Sequence, residues 1–155
     1  MFEIERKFLV VNNSWRSDVE PIEITQGYLK FSDGVRVRVY NKSKAELTIK
    51  GRPINYSRLE FNFPIPLDDA NNILSMMCEF IVHKDRFEIY YFNKLWQVDV
   101  FKDDLSGLVM AEIELGSEEE EFKKPPWLGR EVSHDERFYN FSLAKYGIIK
   151  EGLGE

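Results

Sequence analysis

Acidic and basic side chains recur at every second position along much of this chain, and that spacing decides which of them can act together. Residues two apart in an extended strand point to the same side. On that rule Glu3, Glu5 and Lys7 share a face, with Ile4 and Phe8 on the other. Arg36 and Arg38 stand opposite Val35, Val37 and Val39, and Lys50 shares a side with Thr48. Arg58, Glu60 and Asn62 align in front of Leu59, Phe61 and Phe63, and Lys84, Arg86 and Glu88 in front of Phe87 and Ile89. Asp99 sits between Val98 and Val100, while Glu112 and Glu114 alternate with Ala111, Ile113 and Leu115. Paired carboxylates offer the oxygen ligands that hard cations such as Mg2+ and Mn2+ prefer. Arginine forks match phosphate oxygens two at a time, and lysine adds point charge. Together they suit a multiply charged phosphate compound, such as a linear triphosphate, bridged to the carboxylates by metal ions.

The same pattern also suits an open antiparallel sheet that turns charge to water and grease to a core. Two features favour enclosure. Nearly every polar face carries full charges, with little Ser, Thr or Gln among them. The signs are also grouped, acids in the first and last strands and bases in the stretches around 35–39 and 82–87. Enclosed charges of this number require a hydrated space, because desolvating them without a ligand is costly.

The elements that must position these residues are mostly strands. Alternation predicts strands over Phe2–Val11, Ile22–Phe31, Val35–Tyr40, Glu46–Lys50, Ser57–Ile65, Phe80–Phe92, Leu95–Phe101 and Leu108–Leu115. Ser32-Asp33-Gly34, Asn41-Lys42-Ser43-Lys44 and Asn93-Lys94 read as turns, so neighbouring strands run antiparallel. Helices are few. Asp68 is placed to cap one through Met77, and Ser117 another, with the run Glu118–Glu121 as its solvated start. Ser133 and Glu136 have capping-box spacing ahead of a last helix whose apolar side carries Phe138, Phe141, Leu143, Ala144 and Tyr146, ending at Gly147. Lys124-Pro125-Pro126-Trp127 reads as a stiff connector. The expected class is α+β, mainly β: an eight-stranded antiparallel barrel closed into a tunnel, with a few short helices outside and a C-terminal helix. A sandwich is the alternative.

Bulk properties narrow the function. The 155 residues fit one domain, and 43% hydrophobic content supports a core. A net charge of −6 argues against non-specific nucleic-acid binding. No stretch reaches the roughly 18–20 apolar residues of a membrane helix, and the acidic start does not read as a signal peptide. With Cys78 as the lone cysteine, a reducing, cytoplasmic setting is expected and neither membrane nor nucleic acid is an expected partner. Two histidines do not support a zinc site: His83 should point away from the Lys84 face, and His134 should be exposed. Cys78 should pack near the end of the first helix, and Trp15, Trp96 and Trp127 read as core or rim. No Gly-rich phosphate loop is present.

The ordered set of motifs resembles a known family. Glu3-Ile4-Glu5-Arg6-Lys7 is similar to the N-terminal Glu-x-Glu-x-Lys signature of the CYTH family, also called triphosphate tunnel metalloenzymes. Gln26-Gly27-Tyr28-Leu29, Val35-Arg36-Val37-Arg38, Leu47-Thr48-Ile49-Lys50, Arg58-Leu59-Glu60, Lys84-Asp85-Arg86, Val98-Asp99-Val100-Phe101 and Ala111-Glu112-Ile113-Glu114 follow in the family's order. The stretches 125–132 and 137–140 resemble its C-terminal plug. The resemblance implies one CYTH-like domain over 1–155, use of Mg2+ or Mn2+, and action on a small-molecule triphosphate. It implies Glu3, Glu5, Glu112 and Glu114 as metal ligands, with Asp99 and Glu60 near them. It implies Lys7, Arg36, Arg38, Lys50, Arg58, Lys84 and Arg86 as phosphate binders, and Lys7, Tyr28, Lys84 and Arg86 as the catalytic group. Asn62 departs from the pattern: small bacterial members often carry a second acid there, which leaves the second metal open. Similarity to those members points to hydrolysis of inorganic tripolyphosphate to pyrophosphate and phosphate. Hydrolysis of thiamine triphosphate or of nucleoside triphosphates, class IV adenylyl cyclase chemistry, and a non-catalytic polyphosphate- or nucleotide-binding module are the alternatives. A homodimer is compatible with the sequence and required by no motif.

Overall fold

Alternation of charge with grease along each strand can be satisfied by a sheet that wraps its polar face inward, and this chain does so. The structure is a computed structural model in which residues 1–30 and 32–148 are described. In chain order it contains β1 (Phe2–Val10), β2 (Ile22–Leu29), β3 (Val35–Tyr40), β4 (Lys44–Lys50), β5 (Ser57–Ile65), α1 (Leu67–Met76), β6 (Cys78–Tyr91), β7 (Lys94–Phe101), β8 (Val109–Glu114), β9 (Leu128–Glu131) and α2 (Asn140–Tyr146), with 3-10 turns at Asp103–Leu105 and Glu136–Phe138. The strands are ordered β5-β4-β3-β2-β6-β7-β8-β1 and the ring closes where β1 meets β5. Phe2 faces Leu59, Glu3 faces Arg58 and Ile4 faces Ser57 there, which excludes the sandwich. Every pairing is antiparallel. Two tight hairpins carry left-handed residues in pairs, Asn41-Lys42 and Phe92-Asn93, as type I′ turns require.

Apolar side chains pack on the outside of the ring. Phe8, Trp96, Val98, Ala111 and Ile113 point outward from β1, β7 and β8 and are covered by Trp15 and Trp127. Trp96 meets Phe8 and Trp127 edge to face at 5.8 and 5.7 Å, contacts that add about 0.5–1.5 kcal/mol each beyond burial. Helix α1 covers Val37, Val39 and Ala45 on β3 and β4, and Cys78 joins that cluster as expected. Gly27 permits this approach, since a Cβ there would stand 2.8 Å from Ile81 Cδ1 and 2.9 Å from Leu74 Cδ2. A third cluster lies inside one end of the barrel: Leu9, Val82, Phe101 and Met110, on inward-facing positions, receive Phe138 and Leu143 from the C-terminal segment.

Several local expectations are corrected. The predicted strand Ile22–Phe31 stops at Leu29, and Phe31 lies outside the described residues. β4 begins at Lys44 and β6 at Cys78, earlier than alternation indicates, and β9 was not expected. α1 has no side-chain cap, so Asp68 sits in its first turn beside Asp69 and serves the helix dipole instead. No helix follows Ser117. Glu118 accepts from Tyr56 N and Ser57 Oγ, and Glu120 accepts from Gly116 N and pairs with Lys94, so these acids fasten strand ends. Ser133 does not cap: its hydroxyl accepts from Lys7 N and donates to Glu131. Asp135 caps the 3-10 turn through Arg137 N, and α2 starts only at Asn140. Tyr146 is exposed and not part of the apolar side.

Candidate functional site

Register carries the polar face of each strand into one space. Lys7 stands opposite Glu112, Glu5 opposite Glu114, Gln26 opposite Arg38, Tyr28 opposite Arg36, Lys50 opposite Glu60 and Arg86 opposite Asp99. Each predicted site residue therefore lies on the inner wall. His83 points away, exposed, with Thr25 Oγ1 3.2 Å from its Nδ1. His134 is exposed as expected but lies outside any helix, stacked on Tyr56 at 4.6 Å.

Ion pairs dominate on β6, β7, β8 and β1. Asp99 binds Arg86 through two bonds of 2.7 and 2.8 Å, and its Oδ2 also receives Lys84 at 2.7 Å. Glu112 lies 3.8 Å from Arg86 and 3.6 Å from Lys7. Lys84 is 0% exposed. On β3 the partners are neutral. Arg38 Nε donates to Gln26 Oε1 at 2.8 Å, and Arg36 donates to Thr48 Oγ1 at 3.2 Å. Thr48 donates in turn to Asn62 Oδ1 at 2.6 Å, and Lys50 lies 3.3 Å from Glu60. The buried Nε atoms of Arg36 and Arg58 have no hydrogen-bond partner.

These surroundings shift the titrations. Burial raises the Glu5 carboxyl, and the Glu112 charge raises it further despite Lys7 and Lys50. The Glu5 residue is nonetheless exposed, so this burial reflects the walls around it and not close packing. Glu112 is held well below the usual range: burial opposes its charge, but Lys7, Arg86 and Lys84 outweigh that. The two lie within hydrogen-bond reach of each other, and of the pair Glu5 is the one raised. Glu114 is pushed up to about 7 by its hydrogen bond with Glu3, then by burial and the charges of Glu3, Glu5 and Glu60. Burial pushes Lys84 down to about 7, Asp99 countering and Arg86 and Arg38 reinforcing the fall. Burial likewise pushes Lys50 down to about 8, helped by Arg36. Burial raises the Tyr28 phenol, so its hydroxyl keeps its proton and can donate.

A family model described as CYTH domain matches residues 1–139. The chain belongs to the CYTH family. Among curated proteins, this CYTH chain is 43% identical to an inorganic triphosphatase of Acetivibrio thermocellus over 96% of its own length and 98% of the relative's. It is 32% identical to an inorganic triphosphatase of Nitrosomonas europaea over 93% and 97%. A solved inorganic triphosphatase structure superposes with a TM-score of 0.68 at 30% identity, covering 95% of each chain.

Membership of the CYTH family implies dependence on a divalent metal. The donors here fit one in kind. The neighbouring carboxylates raise Glu114, through Glu3, and Glu5, through Glu112, and a hard cation relieves the same repulsion. Among the described residues no three acidic, histidine or cysteine side chains form a cage unaided. That suits an ion taking one or two carboxylates plus phosphate oxygens and water, as Mg2+ does. Asp99 differs from Glu112 in that Arg86 and Lys84 hold its oxygens at 2.7 to 2.8 Å, whereas the cations beside Glu112 stand 3.6 and 3.8 Å away. Glu60 pairs with Lys50, and Asn62 turns its oxygen to Thr48.

Two residues of the CYTH tunnel escaped the sequence reading. Gln26 was legible, since it lies two before Tyr28 on the same face. Asn140, which bonds Gln26 and Lys84, gave no periodic signal because it opens a helix. An open recess of about 650 Å3 between Tyr56 and Arg137 lies elsewhere, with the Arg137–Asp135 ion pair in its lining.

Proposed function

We propose that this chain hydrolyses inorganic tripolyphosphate to pyrophosphate and phosphate, using Mg2+ or Mn2+, in the cytoplasm. The observation that carries this reading is the state of the β3 arginines. Arg36 and Arg38 are buried on neutral oxygens, with Arg36 Nε unpartnered, across the ring from Glu5 and Glu112, carboxylates close enough for the charge of Glu112 to raise Glu5. Such a wall is incomplete without an anion on one side and a cation on the other. The full-length likeness to two relatives named inorganic triphosphatase supports tripolyphosphate as that anion.

On this proposal Arg36, Arg38, Lys50 and Arg58 grip the phosphates, and Lys7, Lys84 and Arg86 extend the grip toward the acids. Glu3, Glu5, Glu112 and Glu114 would hold the metal, which when bound would supply positive charge against the phosphates and draw electron density from phosphorus. Asp99 keeps Arg86 and Lys84 aimed rather than serving as a ligand. Water attacks the terminal phosphorus in line as the bridging P–O bond breaks and its electron pair passes to pyrophosphate. Tyr28, protonated, orients the terminal phosphate or that water by donating to it. The guanidinium groups stabilise charge that builds on the leaving group.

The test is a panel of tripolyphosphate, thiamine triphosphate, ATP and GTP with each metal, measuring phosphate and pyrophosphate separately. Equal release of both from tripolyphosphate, faster than from the others, is expected. Pyrophosphate with cyclic AMP from ATP, or tight binding without turnover, would overturn the proposal.

A further inference from the structure

The stopper of the barrel does more than close it. Three consecutive residues at the start of α2 each reach a tunnel side chain. The Tyr139 ring lies 6.0 Å from Lys7 Nζ, Phe141 meets Tyr28 edge-on at 5.6 Å, and Asn140 lies between them. The segment is anchored behind by Phe138 and Leu143 in the apolar cluster that fills this end.

Asn140 Oδ1 accepts two hydrogen bonds, from Gln26 Nε2 at 2.9 Å and from Lys84 Nζ at 3.0 Å. Gln26 Oε1 accepts from Arg38 Nε at 2.8 Å. The direction of this chain is fixed by its ends. Arginine and lysine only donate, so Arg38 must meet the oxygen of Gln26 and Lys84 the oxygen of Asn140. The Gln26 amide nitrogen then donates to the second lone pair of Asn140, with the Tyr28 hydroxyl as a longer acceptor at 3.5 Å. One amide oxygen thus ties a cation on β3 to a cation on β6 across β2. A carboxylate there would put a second negative charge on Lys84, which Asp99 already pairs. The amide fixes position without adding one.

We propose that Asn140 is a positioning residue that couples the docked C-terminal helix to the phosphate-gripping cations, setting Lys84 directly and Arg38 through Gln26. This rests on the tunnel being a triphosphate site. The prediction is that Asn140→Ala lowers kcat/KM for tripolyphosphate about 10- to 100-fold, the usual consequence of losing a partner that orients a contacting group. Gln26→Leu breaks the same link from its other end and serves where Asn140→Ala folds poorly. The double variant should fall no further than the worse single, within about twofold, because residues in one hydrogen-bond network are not additive. Asn140→Ala combined with Lys50→Ala, which the chain does not reach, should multiply. A merely structural role for Asn140 would not produce this split. The Gln26 side-chain amide protons, followed by NMR, should exchange with water faster in Asn140→Ala. Wild-type kcat/KM in Asn140→Ala, multiplying effects with Gln26→Leu, or unchanged amide exchange would each overturn the inference. If the wild-type protein neither binds nor hydrolyses tripolyphosphate, the triphosphate reading fails instead, and the amide exchange still judges the link.

Discussion

On β6, β7, β8 and β1 the inward cations Lys84, Arg86 and Lys7 stand against Asp99 or Glu112, whereas on β3 Arg36 and Arg38 rest on the neutral oxygens of Thr48 and Gln26. Both groups are buried, so the difference is one of compensation. The paired wall is complete as folded and holds its shape without a ligand. The β3 wall stores positive charge that burial and neighbouring cations disfavour, as the lowered titration of Arg38 reflects. A structural ion-pair network and a waiting anion site can therefore share one tunnel, and partner chemistry separates them where burial does not.

The comparison breaks most sharply at Asp99. Asp99→Asn removes the charge that Arg86 and Lys84 share while keeping the shape, leaving buried Lys84 without its ion-pair partner and Arg86 with only the more distant Glu112. Breaking a buried pair costs about 3–5 kcal/mol, and denaturant unfolding should show a loss of that size. A loss under half of it would mean that the paired wall is not structural. On the other wall the order of effects reverses. Arg38→Met should lower kcat/KM for tripolyphosphate about 100- to 1,000-fold, the scale for losing one preorganised donor. Its unfolding free energy should stay level or rise, because an uncompensated cation leaves the interior. A variant that lost stability in step with activity would erase the distinction.

How much of this the sequence contained depends on the kind of interaction. Strand faces were legible because the period of two is strict, so Glu3, Glu5, Arg36, Arg38, Glu112 and Glu114 fall on the inner wall as spacing requires. Closure was expected from the grouping of the charges and from the family resemblance, but the pairing that makes it, Phe2–Ile4 with Ser57–Leu59, was hidden because it joins distant segments. The partner of each charge was also hidden: Asp99 has the same local pattern as Glu112, yet its cations sit at 2.7 to 2.8 Å and those of Glu112 at 3.6 and 3.8 Å. Capping rules failed at Ser117 and Ser133 for one reason. Side chains there bond to strands far away in sequence, Glu118 to Tyr56 and Ser57, and Ser133 to Lys7, and those tertiary bonds displace the local helix.

The acid pairs sharpen the comparison through pH. Glu114 titrates near 7 in the fold against an ordinary 4.5, and Glu5 is raised as well. Between those values the folded protein keeps a proton that the unfolded chain has released. Stability from this source is full below the window and is lost as pH rises through it. In chelator, the melting temperature should fall across that range, and Glu114→Gln should flatten the fall. Divalent metal requires the carboxylates to shed these protons, so Mg2+ or Mn2+ should stabilise more above the window than below it. Equal stabilisation on both sides would place the metal elsewhere.

The smallest effect separates the two buried lysines. Lys50, beside the β3 arginines, is pushed down to about 8, and Lys84, in the paired wall, to about 7. Each is charged below its value and loses charge above it. If the β3 side supplies the grip, KM for tripolyphosphate should climb as pH passes about 8, because protonated Lys50 is then being depleted. Lys50→Arg should remove that limb, since a guanidinium stays charged throughout. A limb near 7 that survives Lys50→Arg would belong to Lys84 instead, and the grip would then extend into the wall that its own carboxylates already neutralise.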